Sequence, residues 1–171
     1  MERVIFEQRA RFREAMSFAS SSDNAMLEKR GLPWKLSHCG LHLDAQNNTV
    51  DYFQLENLNV HGEPLRASPD LVYVNTRSGE LIVVEIKFTR QAITTNLWPN
   101  VWAQLWIYAH IPAAIAAPRV TVIGEIWGEW YAPEQRLRAV GLRASVRRDP
   151  RERSYDRFFR MLFDIYCGEC R

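Results

Sequence analysis

Hydrophobic and polar positions change period several times along the chain, and each change predicts an element. Residues 2 to 19 carry Val4, Ile5, Phe6, Phe12, Met16 and Phe18 among arginines and glutamates at roughly helical spacing, which predicts an amphipathic helix. Ser20, Ser21, Ser22 and Asp23 break that pattern and offer capping oxygens. Asn24 to Arg30 is therefore expected as a short helix, ended by Gly31 and Pro33. From Trp34 to Val60 the pattern is shorter and more polar. Asn47 and Asn48 suit a turn there, and Val50, Tyr52 and Leu55 are strand-like.

The next segment is clearer. Residues 71 to 74 (Leu-Val-Tyr-Val) and 81 to 86 (Leu-Ile-Val-Val-Glu-Ile) are β-rich runs joined through Ser78 and Gly79, which predicts an antiparallel hairpin. Leu97 to Ile111, bounded by Asn96 and Pro112, is rich in tryptophan and aliphatic residues at helical spacing, so a largely buried helix is expected. Val120 to Trp130 and Leu137 to Val146 read as strands. Tyr155 to Tyr166 reads as a closing helix with Phe158, Phe159, Leu162, Phe163 and Ile165 on or near its inner face. Helices, strands, helix, strands and helix in that order predict an α/β fold.

Length and composition narrow the class. With 171 residues, 47% hydrophobic and 25% charged, the chain suits one globular domain rather than a disordered or fibrous protein. No apolar stretch approaches the roughly 20 residues needed to span a bilayer, and Met1 to Val4 lacks a secretory apolar core, so a soluble, cytoplasmic protein without a membrane partner is expected. The three cysteines, Cys39, Cys167 and Cys170, are an odd number and suit a reducing compartment. The net charge of +2 says little by itself, but residues 134 to 160 hold nine arginines against four acids. That stretch, with Arg147 and Arg148 adjacent, is a candidate phosphate-binding surface; an ordinary solvated surface is the alternative.

Candidate chemistry sits in the hairpin. Asp70 opens the first run, and Glu85 and Lys87 interrupt the second. A charge inside a buried strand costs several kcal/mol unless it is paired or bound to metal. Residues two apart on a strand share a face, so Glu85 and Lys87 lie side by side, and antiparallel pairing brings Asp70 toward them. Two carboxylates of this kind suit Mg²⁺ or Mn²⁺, with a lysine to offset charge and orient water. The alternative is an ordinary surface ion pair on an exposed sheet edge.

Pro69-Asp70, fourteen intervening residues and Glu85-Ile86-Lys87 resemble the signature of the PD-(D/E)XK nuclease superfamily. Gln104 and Tyr108, four apart on the following helix, resemble the Q-x-x-x-Y element of its RecB-like and related exonuclease branches. The resemblance covers roughly residues 65 to 110 and implies a restriction-endonuclease-like core, a mixed central sheet flanked by helices. It implies that Asp70, Glu85 and the Ile86 carbonyl bind metal, that Lys87 positions water, and that Gln104 and Tyr108 contact substrate phosphates. A further acidic ligand on an upstream helix is often present in this superfamily. Glu28 is the candidate, with Glu14 and Glu63 as competitors. Asp70 follows Ser-Pro rather than a glycine-rich turn, and no helicase motif is present, so processive action coupled to unwinding is not implied.

The expected function is thus a Mg²⁺- or Mn²⁺-dependent nuclease acting on nucleic acid, DNA first, alone or as a homodimer or larger complex. The alternative is a catalytically silent nuclease-fold subunit that binds nucleic acid or a partner. Cys167 and Cys170 also resemble half of a metal knuckle, and a zinc site from His38, Cys39, Cys167 and Cys170 is chemically possible, with free thiols as the alternative.

Overall fold

A computed structural model describes residues 24–25, 27–40, 52–89, 96–131, 137–148 and 153–168. The proposed helix over 2 to 19, with Glu14, lies outside them, as do Asn47, Asn48, Val50 and Cys170. Among the described residues the central sheet has five strands: β1 (Trp34–Cys39), β4 (Leu71–Asn75), β5 (Leu81–Thr89), β6 (Val120–Tyr131) and β7 (Leu137–Arg148), side by side in that order. Only β5 and β6 run parallel; the other neighbours are antiparallel. A parallel pair needs a crossover, and α1 (Pro99–Tyr108) with the short α2 (Pro112–Ala116) supplies it across one face of the sheet. The chain closes with α3 (Arg153–Cys167). This is an α/β core with a mixed sheet and helices packed on it.

The hairpin forms with Leu71 opposite Val84 and Val74 opposite Leu81. Its turn is held by the Asn75 side chain, whose Oδ1 accepts from the N–H groups of Arg77 and Ser78 at 3.0 Å each. Strand β5 continues three residues beyond the expected end. The helix expected over 97 to 111 is shorter, Pro99–Tyr108, and beyond its expected end Pro112, suited to a first helical position, starts the separate short α2.

A second, two-stranded sheet was not expected. β2 (Phe53–Val60) and β3 (Glu63–Ala67) turn through His61 and Gly62, both at positive φ (52° and 86°). Only Leu55 and Leu58 of β2, three residues apart, are buried, and Pro64 blurs the strand pattern of β3.

The main core lies between the sheet and α1. Leu55 and Leu58 from β2, Val72 from β4, Val83 from β5, Val101 and Leu105 from α1, and Val120, Val122 and Ile126 from β6 are almost completely buried. Each large aliphatic side chain so buried contributes roughly 1.5–3 kcal/mol. On the opposite face Leu71, Val84 and Ile86 form a smaller cluster with Leu36, Cys39 and Ile123. Gly124 decides how close α1 can come: a Cβ there would lie 2.6 Å from Leu97 Cδ1 and 3.2 Å from Leu105 Cδ1. Among the described residues no helix is long and apolar enough to cross a membrane.

Candidate metal and phosphate site

The first half of β5 is bonded on both sides, to β4 through Val84 and to β6 throughout. Beyond Val84 the β4 neighbour has run out, and the Asp70 side chain takes its place: Asp70 Oδ2 accepts the Ile86 N–H at 2.6 Å. In an extended strand the N–H and C=O of one residue point to the same edge, so the Ile86 carbonyl is directed to the side Asp70 occupies. Asp70 is held from behind by the end of β1, where the Gly40 N–H donates to the Asp70 carbonyl at 3.0 Å. A Cβ on Gly40 would collide with the Pro69 carbonyl oxygen and lie 2.6 Å from Ser68 Oγ. This glycine fixes the approach of the Asp70 loop.

Alternation along β5 puts Leu81, Val83, Glu85 and Lys87 on the face that α1 covers. Glu85 is 3% exposed and its Oε1 pairs with the Lys87 ammonium, which is itself partly open to solvent. The other oxygen, Glu85 Oε2, is buried with no hydrogen-bond partner among the described residues. Burial, and after it the negative charge of Glu85, raise the Asp70 carboxyl to about 7. A bond from the Ile86 N–H and the Lys87 charge oppose that rise without cancelling it.

Because Gly124 lies beside Glu85 in the β5–β6 register, the close approach it permits brings α1 over the acids. Tyr108 is buried and its hydroxyl donates to the Ser68 carbonyl at 3.5 Å. Burial first, and then the Glu85 and Asp70 charges, push the phenol above its usual range. Gln104, one turn earlier, is half-buried, and its Oε1 has no hydrogen-bond partner among the described residues. Asp70, Glu85, Lys87 and Tyr108 are thus brought together, with the Gln104 side chain on the same helical face.

Glu28 is not brought there. Its segment enters the sheet at the other end of β1: Thr76 N–H bonds to Pro33 O, and Trp34 pairs with Asn75, whereas Asp70 precedes Leu71. The length of β4, roughly 13 Å at strand rise, separates the two ends. Glu28 is exposed, as is Glu63 at the start of β3. Among the described residues no cluster of three or more His, Cys, Asp or Glu side chains could hold a metal ion. The zinc set fails for a related reason. His38 contacts Phe53 of the main core, while Cys39 packs in the cluster on the opposite face, and the Cys167 thiol donates to the Asn59 carbonyl at 3.6 Å.

Arg147 and Arg148 pair with Thr121 and Val120, level with Ile82 and Leu81. That places their backbone roughly 10 Å along the sheet from the level of Glu85. Arg143 and Arg138, opposite Glu125 and Trp130, are the β7 arginines at or beyond the level of Glu85–Thr89. Sequence reasoning passed over Gly40, Ser68 and Glu125. Glu125 carried the same signal as Glu85, a charge within an apolar β-run, and is 8% exposed. It shares the register of Ile86, hence the face opposite Glu85.

No family model matches the chain, and no curated protein does. Two solved chains match it. One, the crystal structure of SSO0001, is 21% identical with a TM-score of 0.31 over 67% of this chain and 47% of that one. The chain therefore spans about half the length of that protein, and a likeness at this level does not establish a shared fold.

Proposed function

We propose that the protein is a divalent-metal-dependent nuclease that hydrolyses phosphodiester bonds, with DNA as substrate and the cytoplasm as its setting. The observation that supports this reading is the junction at the end of β4, where the Asp70 and Glu85 carboxylates converge in a buried place beside the Lys87 ammonium. Burial, and after it the Glu85 charge, raise the Asp70 carboxyl, and a bound cation would offset both. The donor set is hard oxygen: Asp70, Glu85 and the Ile86 carbonyl, which fits Mg²⁺ or Mn²⁺ with one or two protein carboxylates. Bound there, such an ion would supply Lewis-acid stabilisation of the charge developing on phosphate. The order Pro69-Asp70 to Glu85-Ile86-Lys87 resembles the PD-(D/E)XK signature, which accords with this chemistry.

The chain's own groups divide the remaining work. Lys87, partly open to solvent and paired with Glu85, holds a positive charge at the mouth of the site, where it orients the attacking water. Tyr108 keeps its proton because burial and the two acids disfavour the phenolate, so it serves as a hydrogen-bond donor toward phosphate oxygen and not as a base. The amide of Gln104 is a second polar contact for phosphate from the same helical face.

Incubating the full chain with labelled single-stranded DNA, duplex DNA and RNA in Mg²⁺, Mn²⁺ or EDTA tests the reading. Cleavage of DNA that needs the metal and is lost in Glu85→Gln is the expected outcome. Metal-independent cleavage, or none on any substrate, contradicts it; binding without cleavage identifies a catalytically silent nuclease-fold subunit.

A further inference from the structure

α3 docks on α1 around one tryptophan. Phe159 and Phe163 pack on the Trp106 ring at 6.3 and 5.9 Å, and the Arg160 guanidinium lies 5.2 Å from it. The indole Nε1 of Trp106 donates to Asp156 Oδ1 at 2.9 Å. His110, just past the end of α1, faces the same carboxylate oxygen. Its side chain is 5% exposed, its ring tilts against Trp106 at 4.5 Å, and its Nε2 lies 3.8 Å from Asp156 Oδ1. The other ring nitrogen, Nδ1, is 2.8 Å from the Trp106 carbonyl oxygen. A carbonyl has no proton to give, so Nδ1 carries the hydrogen and donates. In the neutral ring Nε2 then presents a lone pair to a carboxylate, acceptor against acceptor, at a distance too long for a hydrogen bond.

We propose that His110 is a proton-operated clasp between α1 and α3: protonation at Nε2 turns that nitrogen into a donor, which closes on Asp156 and tightens the docking of α3. Two neighbours favour the cation. The Asp156 carboxylate does so directly, and the Trp106 carbonyl belongs to the last turn of α1, the negative end of that helix. Burial opposes it, as does Arg160 across the Trp106 ring. Residues 99 to 117, which span α1 and α2, hold no other charged side chain. The sheet positions that share the core with Trp106, namely Leu81, Val83, Val120 and Val122, are apolar. Asp70 and Glu85 act on Tyr108, roughly 160° around α1 from Trp106. A carboxylate that favours the imidazolium makes the contact present at low pH and lost as pH rises through the His110 titration. The clasp lies on the side of α1 away from the acids, and the proposal does not depend on the nuclease reading.

NMR of the full chain from about pH 5 to about pH 9, following the His110 ring and the Trp106 indole N–H, tests it across the range in which histidine titrates. The two signals should titrate together, because both groups face Asp156 Oδ1. Asp156→Asn keeps an oxygen for the indole and removes the charge; it should lower the shared midpoint by about 0.5 pH. His110→Gln should leave the indole signal flat with pH. Docking itself is read by hydrogen exchange of the α3 amides, taken relative to those of β5 and corrected for intrinsic rates. In the wild type α3 should be protected roughly two- to five-fold more at about pH 5.5 than at about pH 8, and His110→Gln should lose that difference. The Asp156 side chain is 60% exposed, so its variant keeps the test decisive if His110→Gln does not fold. A His110 ring that does not titrate in this range, an indole signal that does not follow it, or a midpoint unchanged in Asp156→Asn overturns the proposal.

Discussion

The two halves of β5 sit in one strand and do opposite things. Leu81 to Val84 lies between β4 and β6, fully laddered, with Val83 at 0% exposure. Glu85 to Thr89 keeps β6 but has lost β4, and here the strand carries a carboxylate and an ammonium. A charge is costly where every neighbour is apolar and laddered, and it is tolerable where a strand ends and a side chain, Asp70, can take over a ladder hydrogen bond. The first half holds the fold; the second is where the fold leaves room for chemistry.

The sharpest way to break this comparison is to swap the symptoms. Asp70→Asn and Glu85→Gln should each reduce metal-dependent cleavage by about 10²- to 10³-fold, as loss of a preorganised charge does, while the metal-free protein melts no lower than wild type because repulsion is relieved. Leu81→Ala should do the reverse: a loss of about 2–4 kcal/mol in chemical denaturation, with turnover kept in the fraction still folded. If Glu85→Gln unfolds the protein and Leu81→Ala does not, the two halves have been misassigned.

A pH titration sharpens it further. In the folded, metal-free chain Asp70 titrates at about 7 rather than its ordinary 3.8. The native state therefore holds a proton that the unfolded chain has released between those two values. Metal-free stability should accordingly fall as pH rises from about 4 to about 7, and Asp70→Asn should flatten that slope in thermal melts. Unchanged slopes would mean that Asp70 is not the buried, repelled acid described above.

Smaller effects are expected at the glycines that set the approach of the neighbours. Gly40→Ala should cost about 1–3 kcal/mol by overpacking and displace the Asp70 loop, lowering turnover with substrate affinity kept. Gly124→Ala should push on Leu97 and Leu105 and lift α1, which a change in Trp106 fluorescence would register.

The smallest effect concerns nucleic acid affinity. Replacing Arg138 and Arg143 should flatten the salt dependence of binding by up to about two units, and replacing Arg147 and Arg148 should do less, because register places them level with the apolar half of β5. Equal slopes for the two pairs would dissolve that distinction.

What could be read beforehand follows the same division. Asp70, Glu85 and Lys87 stood out because charge inside a β-run is anomalous whatever the tertiary structure, and the short hairpin made their meeting a local matter. Gln104 and Tyr108 stood out through their resemblance to the Q-x-x-x-Y element, and helical spacing adds only that they share a face. Glu28 was not, because the sequence does not say which end of the sheet a helix enters; that depends on β1 running antiparallel to β4. The placement of Arg147 and Arg148 fails to follow from composition for the same reason, being set by the β6–β7 register. The β2–β3 pair escaped notice because its burial pattern departs from strict alternation around a register shift between Leu55 and Asn59.

The most direct measurement is calorimetric titration of the metal-free chain with Mn²⁺ at pH 6.5, alongside Asp70→Asn and Glu85→Gln. Binding of Mn²⁺ with release of a proton, judged from buffers of different ionisation enthalpy, and loss of that binding in both variants are expected if the two carboxylates form a cation site. Equal Mn²⁺ binding by wild type and both variants, or no binding by the wild type, would contradict it.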